Sequence, residues 1–326
     1  MSVGPLARHP VLADVDGEVL RATLDFIDSR LQRLLLHSGG AATPDGRTVV
    51  VHGESGSGKT TLTIALVAQG LAYLTDETVC LDPETLAVEP FAKPLTVKLG
   101  AQQVLSHLRP GTDRIDPDSG NWQLDPTSLG GPAIPEHELQ PALIVFPDFR
   151  SDFDAVEVTP VSRAHAAFVL GEQSSALWAV EPRPLAALAR LVTQAHAYRV
   201  SYGDAFAAAP VIVRDLLPAR LGSAGGALGG RLPTRGTEPH WSDDVDWIEL
   251  DGEAVLFDGE HLHHLDVPGA AVWARLDGAR TLPEVAQEVA SQFATSRDQV
   301  QLDVEDLVRV LTAHHLVTHA VDPATG

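Results

Sequence analysis

The stretch of sequence best suited to chemistry is HGESGSGKTTL, residues 52–62. It contains the spacing G-x-x-x-x-G-K-[ST], with the β-branched run RTVVV before it and an apolar helical pattern after it. Glycines in such a loop let backbone N–H groups point at phosphate oxygens, and the start of the following helix adds a favourable dipole. The motif in this context predicts a site for ATP or a related nucleotide.

The expected contacts are divided among the residues of this phosphate loop. Lys59 is expected to reach the β and γ phosphates, and the hydroxyl of Thr60 is expected to ligate Mg²⁺. The residues predicted to surround the phosphates are Gly53, Glu54, Ser55, Gly56, Ser57, Gly58, Lys59, Thr60 and Thr61. Nucleotide binding alone does not distinguish a kinase from an ATPase or a switch protein.

Two adjacent carboxylates, Asp76 and Glu77 in LTDET, end the predicted strand that follows the phosphate-loop helix. Side chains of neighbouring strand residues point in opposite directions, so one carboxylate can serve Mg²⁺ or water while the other has a different role. A carboxylate beside the γ-phosphate can accept the proton of an attacking hydroxyl. The alternative is that both are solvated residues at a strand end.

The elements that must position these residues follow from periodicity. Apolar spacing predicts a helix over about 17–36, and RTVVV predicts a buried strand that enters the loop. The helix after the loop is expected to end at Gly70. Further strands are predicted in AYLTDETVCLD, LTVKL and PALIVFPDF, and further helices around 162–171, 184–198 and 206–217. Strand, loop and helix in this order indicate an α/β fold.

Length and composition bound the organisation. The 326 residues are more than one core usually organises, and 44% hydrophobic with 21% charged residues is typical of a globular protein. The glycine-rich stretch 218–240 reads as a flexible linker. We therefore predict a catalytic domain over 1–217 and a second domain over 241–326. The stretch 109–139 reads as a long loop, and we interpret it as a lid that faces the substrate through Trp122.

Charge and cysteine content exclude several classes of function. Residues 241–326 carry 17 acidic and 4 basic residues, a net of −13 within a total of −21. Such a field repels a phosphate backbone, so we expect no nucleic-acid partner. Cys80 is the sole cysteine, which excludes an internal disulfide. With no apolar run of membrane length and no signal peptide, we expect a cytoplasmic protein without a membrane partner.

A family resemblance rests on five segments taken in order: LLHSGG, GESGSGKTTL, YLTDETVCLD, PFAKPLTVKLG and ALIVFPDFR. Over about residues 17–217 they resemble the catalytic domain of HPr kinase/phosphorylase. The resemblance implies a P-loop kinase core, a phosphoserine product, and an active site that contains His37 and the acidic pair. Because one predicted helix alone precedes His37 and the dephosphorylation signature is not matched, we expect a kinase that lacks phosphorylase activity and does not act on HPr.

The same resemblance assigns further roles. The family's usual second aspartate is Glu77 here, which leaves open which carboxylate is the base; its second place in the pair favours Glu77, with Asp76 on Mg²⁺. His37 is otherwise a helix-end histidine. Lys93 and Lys98 match a basic stretch that approaches phosphate, or else lie on a solvated strand face. Arg150 is a weaker candidate for steadying the transferred phosphate.

The C-terminal residues predict a small sheet, from WIEL, EAVLF and HLHHLD, followed by three helices. Thr281 and Glu284 form a predicted capping box at the start of the second helix. The third helix is predicted to start at Asp303 and to carry an apolar stripe of Leu307, Val310, Leu311 and His314. This outline is winged-helix-like, although its charge disfavours DNA. HLDVPGAAVWARLDGARTLPEVAQEVASQF resembles the PqqD family of leader-peptide recognition domains over about 241–321, with Asp266 in place of the usual asparagine. The resemblance implies that a leader peptide adds as a strand beside the last helix. The groove residues would be Leu262, His264, Leu307 and Val310.

These expectations combine into an ATP- and Mg²⁺-dependent phosphotransferase that acts on a hydroxyl of a ribosomally made precursor peptide, with serine as the favoured acceptor. One alternative is a kinase of a small-molecule or free amino-acid hydroxyl, with the C-terminal domain regulatory. Another is a nucleotide-gated scaffold that delivers a peptide without transferring phosphate. The sequence leaves open whether the chain forms a homo-oligomer. Of three close histidines, His261, His263 and His264, strand alternation puts His261 and His263 on one face, but no third metal ligand occurs at standard spacing.

Overall fold

The computed structural model describes residues 15–181, 183–217 and 238–318. They form two compact units. The first takes the described parts of Met1–Val161, Gln173–Val180 and Gln194–Gly222, and the second takes those of Ser162–Glu172, Glu181–Thr193 and Ser223–Gly326. Most of the predicted linker, 218–240, lies outside the described residues. The second unit thus includes two segments that precede this linker in sequence.

The secondary structure is mixed, as predicted. The described α-helices are α1 (Val15–Asp28), α2 (Lys59–Ala68), α3 (Leu99–Gln102), α4 (Arg163–Glu172), α5 (Pro184–Gln194), α6 (Ala205–Val211), α7 (Val267–Trp273), α8 (Leu282–Phe293) and α9 (Arg297–Ala313). The described strands are β1 (Leu34–Leu36), β2 (Ser38–Ala42), β3 (Arg47–His52), β4 (Ala72–Thr75), β5 (Val79–Leu81), β6 (Val88–Glu89), β7 (Leu95–Val97), β8 (Trp122–Leu124), β9 (Gln140–Phe149), β10 (Val156–Pro160), β11 (His196–Tyr202), β12 (His240–Trp241), β13 (Asp246–Leu250), β14 (Glu253–Phe257), β15 (Leu262–Leu265) and β16 (Val317–Thr318). No described helix is long and apolar enough to span a membrane.

The first unit is built on a six-stranded mixed sheet of order β10-β11-β9-β3-β2-β4. β9 and β11 run parallel to β3, while β2 runs antiparallel to both β3 and β4. β4 therefore runs in the direction of β3, and both strands end at the same edge of the sheet. We call this edge, where β3 ends at His52 and β4 ends at Thr75, the loop edge.

The strand and helix that flank the phosphate loop form as predicted. β3 is buried from Thr48 to His52, and α2 starts at Lys59 and ends two residues before Gly70. Apolar side chains of α2 pack on the sheet in one core with Val49, Val51 and Val145. The helix lies so close to β2 that a side chain at Gly39 would overlap Thr63 Oγ1.

Two predicted helices are shorter than their apolar spacing indicates. The helix predicted over 17–36 ends at Asp28, and Leu34–Leu36 form β1, which pairs with β5 and is fully buried. The helix predicted over 184–198 ends at Gln194, and β11 follows at once. Both runs are short and apolar, so spacing alone does not distinguish buried strand from buried helix. Pairing with a distant strand decides between them.

The interpretation of Trp122 as a lid residue is wrong. Trp122 begins β8, which pairs antiparallel with β7, and the side chain is only 5% exposed. It packs in a cluster with Leu95, Val97 and Leu105. Burying a tryptophan removes a large apolar surface from water, so the residue anchors this part of the stretch 109–139 instead of facing a substrate.

The second unit contains the predicted small sheet and three helices. β13, β14 and β15 form an antiparallel sheet in that order, and β12 pairs with β16. Ala254, Leu256 and Leu265 pack with α7, α8 and α9 around the fully buried Trp273. The predicted capping box of Thr281 and Glu284 is present at the start of α8.

The other face of this small sheet is covered by α4, which lies far upstream in the sequence. Val255 alternates with the residues that face α7–α9, yet it is fully buried, and α4 lies against all three strands. Phe168 of α4 stacks on His264 with ring centroids 5.7 Å apart, and Ser162 Oγ donates to Glu253 Oε2 at 2.8 Å. A piece cut at residue 241 would lack α4 and expose this face, so experiments on this unit require the full chain.

The last helix differs from its prediction in start and in buried face. α9 begins at Arg297, six residues before the predicted start at Asp303. Its buried stripe is Val300, Val304, Val308 and Leu311. Val310, predicted to lie on the stripe, is 48% exposed. The apolar residues repeat with the predicted helical period, but the buried face includes Val308 instead of Val310.

Candidate functional site

The phosphate loop joins β3 to α2 at the loop edge. Gly56 and Gly58 have φ values of 88° and 96°, a region that favours glycine, and the N-terminus of α2 follows directly. Lys59 Nζ donates to the loop's own carbonyl oxygens, those of Gly53 and of Glu54, the latter at 3.0 Å. Burial lowers the pKa of Lys59, while nearby Glu77 opposes this shift.

The loop has the features that a phosphate group requires. The hydroxyl of Ser57 is buried and has no hydrogen-bond partner among the described residues. A Cβ added at Gly56 would meet no atom within 4 Å, so the loop backbone there faces open space. With the dipole of a ten-residue helix behind it, the loop fits an anion. That Gly53–Thr61 hold phosphate groups stays a prediction.

His37 is brought to the loop edge by the pairing of β2 with β3. Ser38 and His52 lie opposite each other in the register, and Ser38 Oγ lies 2.8 Å from His52 Nδ1. The backbone N–H of Ser38 donates to the carbonyl oxygen of Glu77 at 3.1 Å. These bonds fix the start of β2 between the phosphate loop and the acidic pair, so His37 lies beside both.

The two members of the acidic pair lie in different environments. Asp76 is 5% exposed. Its Oδ1 accepts hydrogen bonds from Lys93 Nζ at 2.8 Å and from Tyr73 Oη at 3.0 Å. Burial, and then the charge of Asp76, raise the pKa of Tyr73 well above its usual value. Asp76 is therefore held in one orientation.

Glu77 is the more accessible carboxylate, with 38% of its side chain exposed. Its Oε1 lies 3.5 Å from His37 Nδ1, and its Oε2 lies 3.8 Å from Lys93 Nζ. Burial is the largest cause that lowers the pKa of His37, and the charge of Lys59 lowers it further, against the opposing effect of Glu77. A neutral His37 beside an accessible carboxylate is an arrangement able to accept a proton from a hydroxyl group.

Lys93 and Lys98 have different positions, although the sequence assigned them the same role. The side chain of Lys93 is 4% exposed, and its ammonium group is bound to Asp76 and to the carbonyl oxygen of Pro94. This burial disfavours direct contact with a substrate phosphate. Lys98 is exposed, and its Nζ donates to Ser55 Oγ in the phosphate loop at 3.1 Å. This contact places Lys98 beside the loop, and its role as a cation next to bound phosphates stays a prediction.

Replacing Lys93 with methionine is expected to lower the free energy of unfolding of the first unit by about 3–5 kcal/mol, because it leaves the buried charge of Asp76 without its partner. Urea unfolding of the full chain measures the change. Lys98→Met is the matched control, since this exposed residue should change stability by no more than about 0.5 kcal/mol. Equal stability of the two variants would contradict the assigned role of Lys93.

Arg150 directly follows the last residue of β9. This strand lies on the side of β3 that is away from the acidic pair. Its guanidinium donates to Asp148 Oδ2 at 2.6 Å, and the same oxygen accepts from Ser201 Oγ at 2.7 Å. The Arg150 hydrogen bond is the largest cause that lowers the pKa of Asp148. Arg150 is half exposed and is engaged with Asp148, so the structure does not bring it to the acidic pair.

Sequence reasoning missed three residues of the site: Tyr73, Ser38 and His52. Tyr73 could have been identified from the sequence, because a tyrosine in a buried strand needs a hydrogen-bond partner and an acidic residue follows three positions later. Ser38 and His52 gave no such signal, because their contact depends on the register between two strands.

A pocket of about 670 Å³ lies in the second unit between β15, α7, α8 and α9. Its lining includes His264, Leu265, Val272, Val289, Val304 and Leu307. Two of the four predicted groove residues, His264 and Leu307, are therefore in the lining, whereas Leu262 and Val310 are not. In the described part of the chain β15 pairs with β14 alone. The side of β15 away from β14 is therefore an edge of the sheet, to which a further strand could be added.

Two of the three close histidines share one partner. His261 Nδ1 and His263 Nε2 lie 3.9 and 3.4 Å from Asp258 Oδ2, whereas His264 Nε2 lies 2.9 Å from Glu253 Oε2. Among the described residues, no group of three or more His, Cys, Asp or Glu side chains is arranged to hold a metal ion.

Comparison with known proteins bears on the second unit. Residues 253–317 match the family described as Coenzyme PQQ synthesis protein D (PqqD), so the C-terminal part of the chain contains a PqqD-like domain. A solved structure, TbiB1 in complex with the TbiA(beta) leader peptide, is similar at 25% sequence identity, over 26% of this chain and 99% of that chain, with a TM-score of 0.24. The sequence matches none of the curated proteins compared with it.

Proposed function

We propose that this chain is an ATP- and Mg²⁺-dependent kinase that phosphorylates a hydroxyl, that of serine, in a ribosomally synthesised precursor peptide captured by its PqqD-like domain. The observation that carries the proposal is the convergence of the phosphate loop, His37 and Glu77 at one sheet edge. A nucleotide-binding loop without an acceptor base would suit an ATPase or a switch equally well. Here an accessible carboxylate lies beside the loop.

Each residue of the site has a role in this proposal. Lys59 and the loop N–H groups hold the β and γ phosphates, and Thr60 and Asp76 would ligate Mg²⁺, which when bound neutralises charge on the phosphates. Glu77 accepts the proton of the acceptor hydroxyl. His37, at 3.5 Å, orients Glu77, and Lys93 with Tyr73 orients Asp76. The structure supports the division of the pair because Asp76 is fixed and Glu77 is accessible.

The second unit supports the proposal that the acceptor is a peptide. PqqD-like domains are expected to bind a leader peptide by strand addition, and β15 offers a sheet edge beside α9. Apolar leader side chains would fill the adjacent pocket, and the net charge of −13 over 241–326 would attract a basic leader. Because capture domain and kinase are one chain, binding the leader raises the local concentration of the acceptor.

Replacing Leu307 with alanine is expected to raise the KM for the full precursor peptide about tenfold and to leave kcat unchanged, since it removes an apolar contact of the capture pocket. The steady-state rate of phosphorylation by the full chain measures both constants. Val310→Ala, on the same helix but outside the pocket, is the control and should behave as the unsubstituted chain. A small-molecule kinase would show no change in either variant.

A further inference from the structure

One exposed aromatic side chain lies directly against the phosphate loop. Phe149, the last residue of β9, is 50% exposed. A Cβ added at Gly58 would lie 3.7 Å from Phe149 Cβ and 2.9 Å from Tyr202 Oη. The backbone at Gly58, just before α2, therefore lies near Phe149, whose side chain is half exposed. The proposed chemistry does not explain why an apolar ring remains exposed at this position.

Sheet order places Phe149 and the acidic pair on opposite sides of the loop. β9 is the neighbour of β3 on one side, whereas β2 and β4 follow on the other. His37 precedes β2, and Asp76 and Glu77 follow β4, so the groups assigned to phosphate transfer come from the β2–β4 side. A nucleotide that has its γ-phosphate near Glu77 and crosses the loop along the sheet edge has its nucleoside end on the side of β9.

The ring is supported by rigid neighbours. Tyr202 is 1% exposed and lies opposite Phe149 in the parallel pairing, with ring centroids 6.2 Å apart. The next residue is fixed as well, because the Arg150 N–H donates to the Tyr202 carbonyl oxygen at 2.9 Å and its guanidinium is bound to Asp148. An aromatic face held in place in this way loses little freedom when a flat ligand stacks on it.

We propose that Phe149 is the stacking platform for the base of the bound nucleotide. This inference rests on the proposed nucleotide-dependent function and adds a binding residue to it. Stacking on one aromatic face discriminates weakly among bases, because every base has a π-face. Phe149 therefore contributes affinity for the nucleoside and not a preference for adenine over guanine.

The experiment compares two ligands that differ by the nucleoside. ADP and inorganic pyrophosphate, each with Mg²⁺, are titrated into the full chain by calorimetry. Phe149→Ala is expected to weaken ADP about fivefold or more and to leave pyrophosphate unchanged. Phe149→Tyr keeps the aromatic face and should restore ADP binding. Trp178→Ala, which removes another exposed aromatic side chain of the first unit (65% exposed), should change neither ligand.

The other outcomes are distinct. An equal loss of ADP and pyrophosphate affinity in Phe149→Ala would mean that the ring supports the loop, and this would overturn the stacking role. Unchanged ADP affinity would also overturn it. If the unsubstituted chain binds neither ligand, the nucleotide site itself fails, and the proposed function fails with it.

Discussion

Lys59→Met is expected to reduce phosphoryl transfer by at least about 10²–10³-fold. The substitution removes the positive charge that stabilises the β and γ phosphates, and losing one preorganised electrostatic contact in a catalytic site has this magnitude. Methionine keeps the length and the apolar contacts of the stem, which matters because Lys59 is only 7% exposed. The initial rate of ADP formation, with peptide and Mg²⁺ saturating, measures the loss.

The sole cysteine supplies the folding control for this variant. Cys80 is fully buried in β5, and burial, followed by the charge of Glu89, raises the pKa of its thiol to about 12. Since the thiolate is the reactive form, the native chain should resist a thiol reagent at neutral pH and react when unfolded. Lys59→Met with a protected Cys80 and an undiminished rate would show that the phosphate loop is not the catalytic site.

Glu77→Gln is expected to lower kcat by about 10²–10⁴-fold, the usual loss when a general base is removed. Asp76→Asn should also be slow, but for a different reason. A weakened metal ligand is compensated in part by more Mg²⁺ or by Mn²⁺, whereas a missing base is not. Rates of both variants across a series of Mg²⁺ and Mn²⁺ concentrations separate the two roles.

The burial of Asp76 and the exposure of Glu77 decide which of the two variants needs a folding control. Asp76→Asn leaves the buried Lys93 with a neutral partner, so its rate counts only if Cys80 remains protected. Glu77 is more exposed, and its replacement should leave the fold intact. If both folded variants turn over near the unsubstituted rate, the acidic pair is structural. Rescue of Glu77→Gln by Mn²⁺ together with no rescue of Asp76→Asn would reverse the two assignments.

Local patterns identified the parts of the site that adjoin each other in sequence. The run RTVVV, the glycine spacing and the apolar helix after it predicted β3, the loop and α2, and all three are present. The acidic pair follows β4, as its place after a short apolar run indicated. In the second unit, the short apolar run in EAVLF and the capping box at Thr281 predicted β14 and the start of α8 in the same way.

Features that depend on pairing between distant segments could not be predicted from the sequence. Leu34–Leu36 and residues 196–202 have apolar content that suits either a helix or a strand, and only their neighbours β5 and β9 decide. Nothing in the sequence of α4 indicates that it covers the sheet of the second unit. The burial of Lys93 is a similar case, because a lysine near a strand is usually exposed and this one is fixed by Asp76 and Tyr73.

Transfer of labelled phosphate to the peptide tests the central claim most directly. The full chain is incubated with Mg²⁺, [γ-³²P]ATP and a candidate precursor peptide that carries a leader and a serine-containing core, and the labelled residue is located by fragmentation in a mass spectrometer. The account predicts label on a serine of the intact peptide, with far slower labelling when the leader is removed. Nucleotide binding without any labelled peptide would identify a delivery scaffold, and equal labelling with and without the leader would contradict capture by the PqqD-like domain.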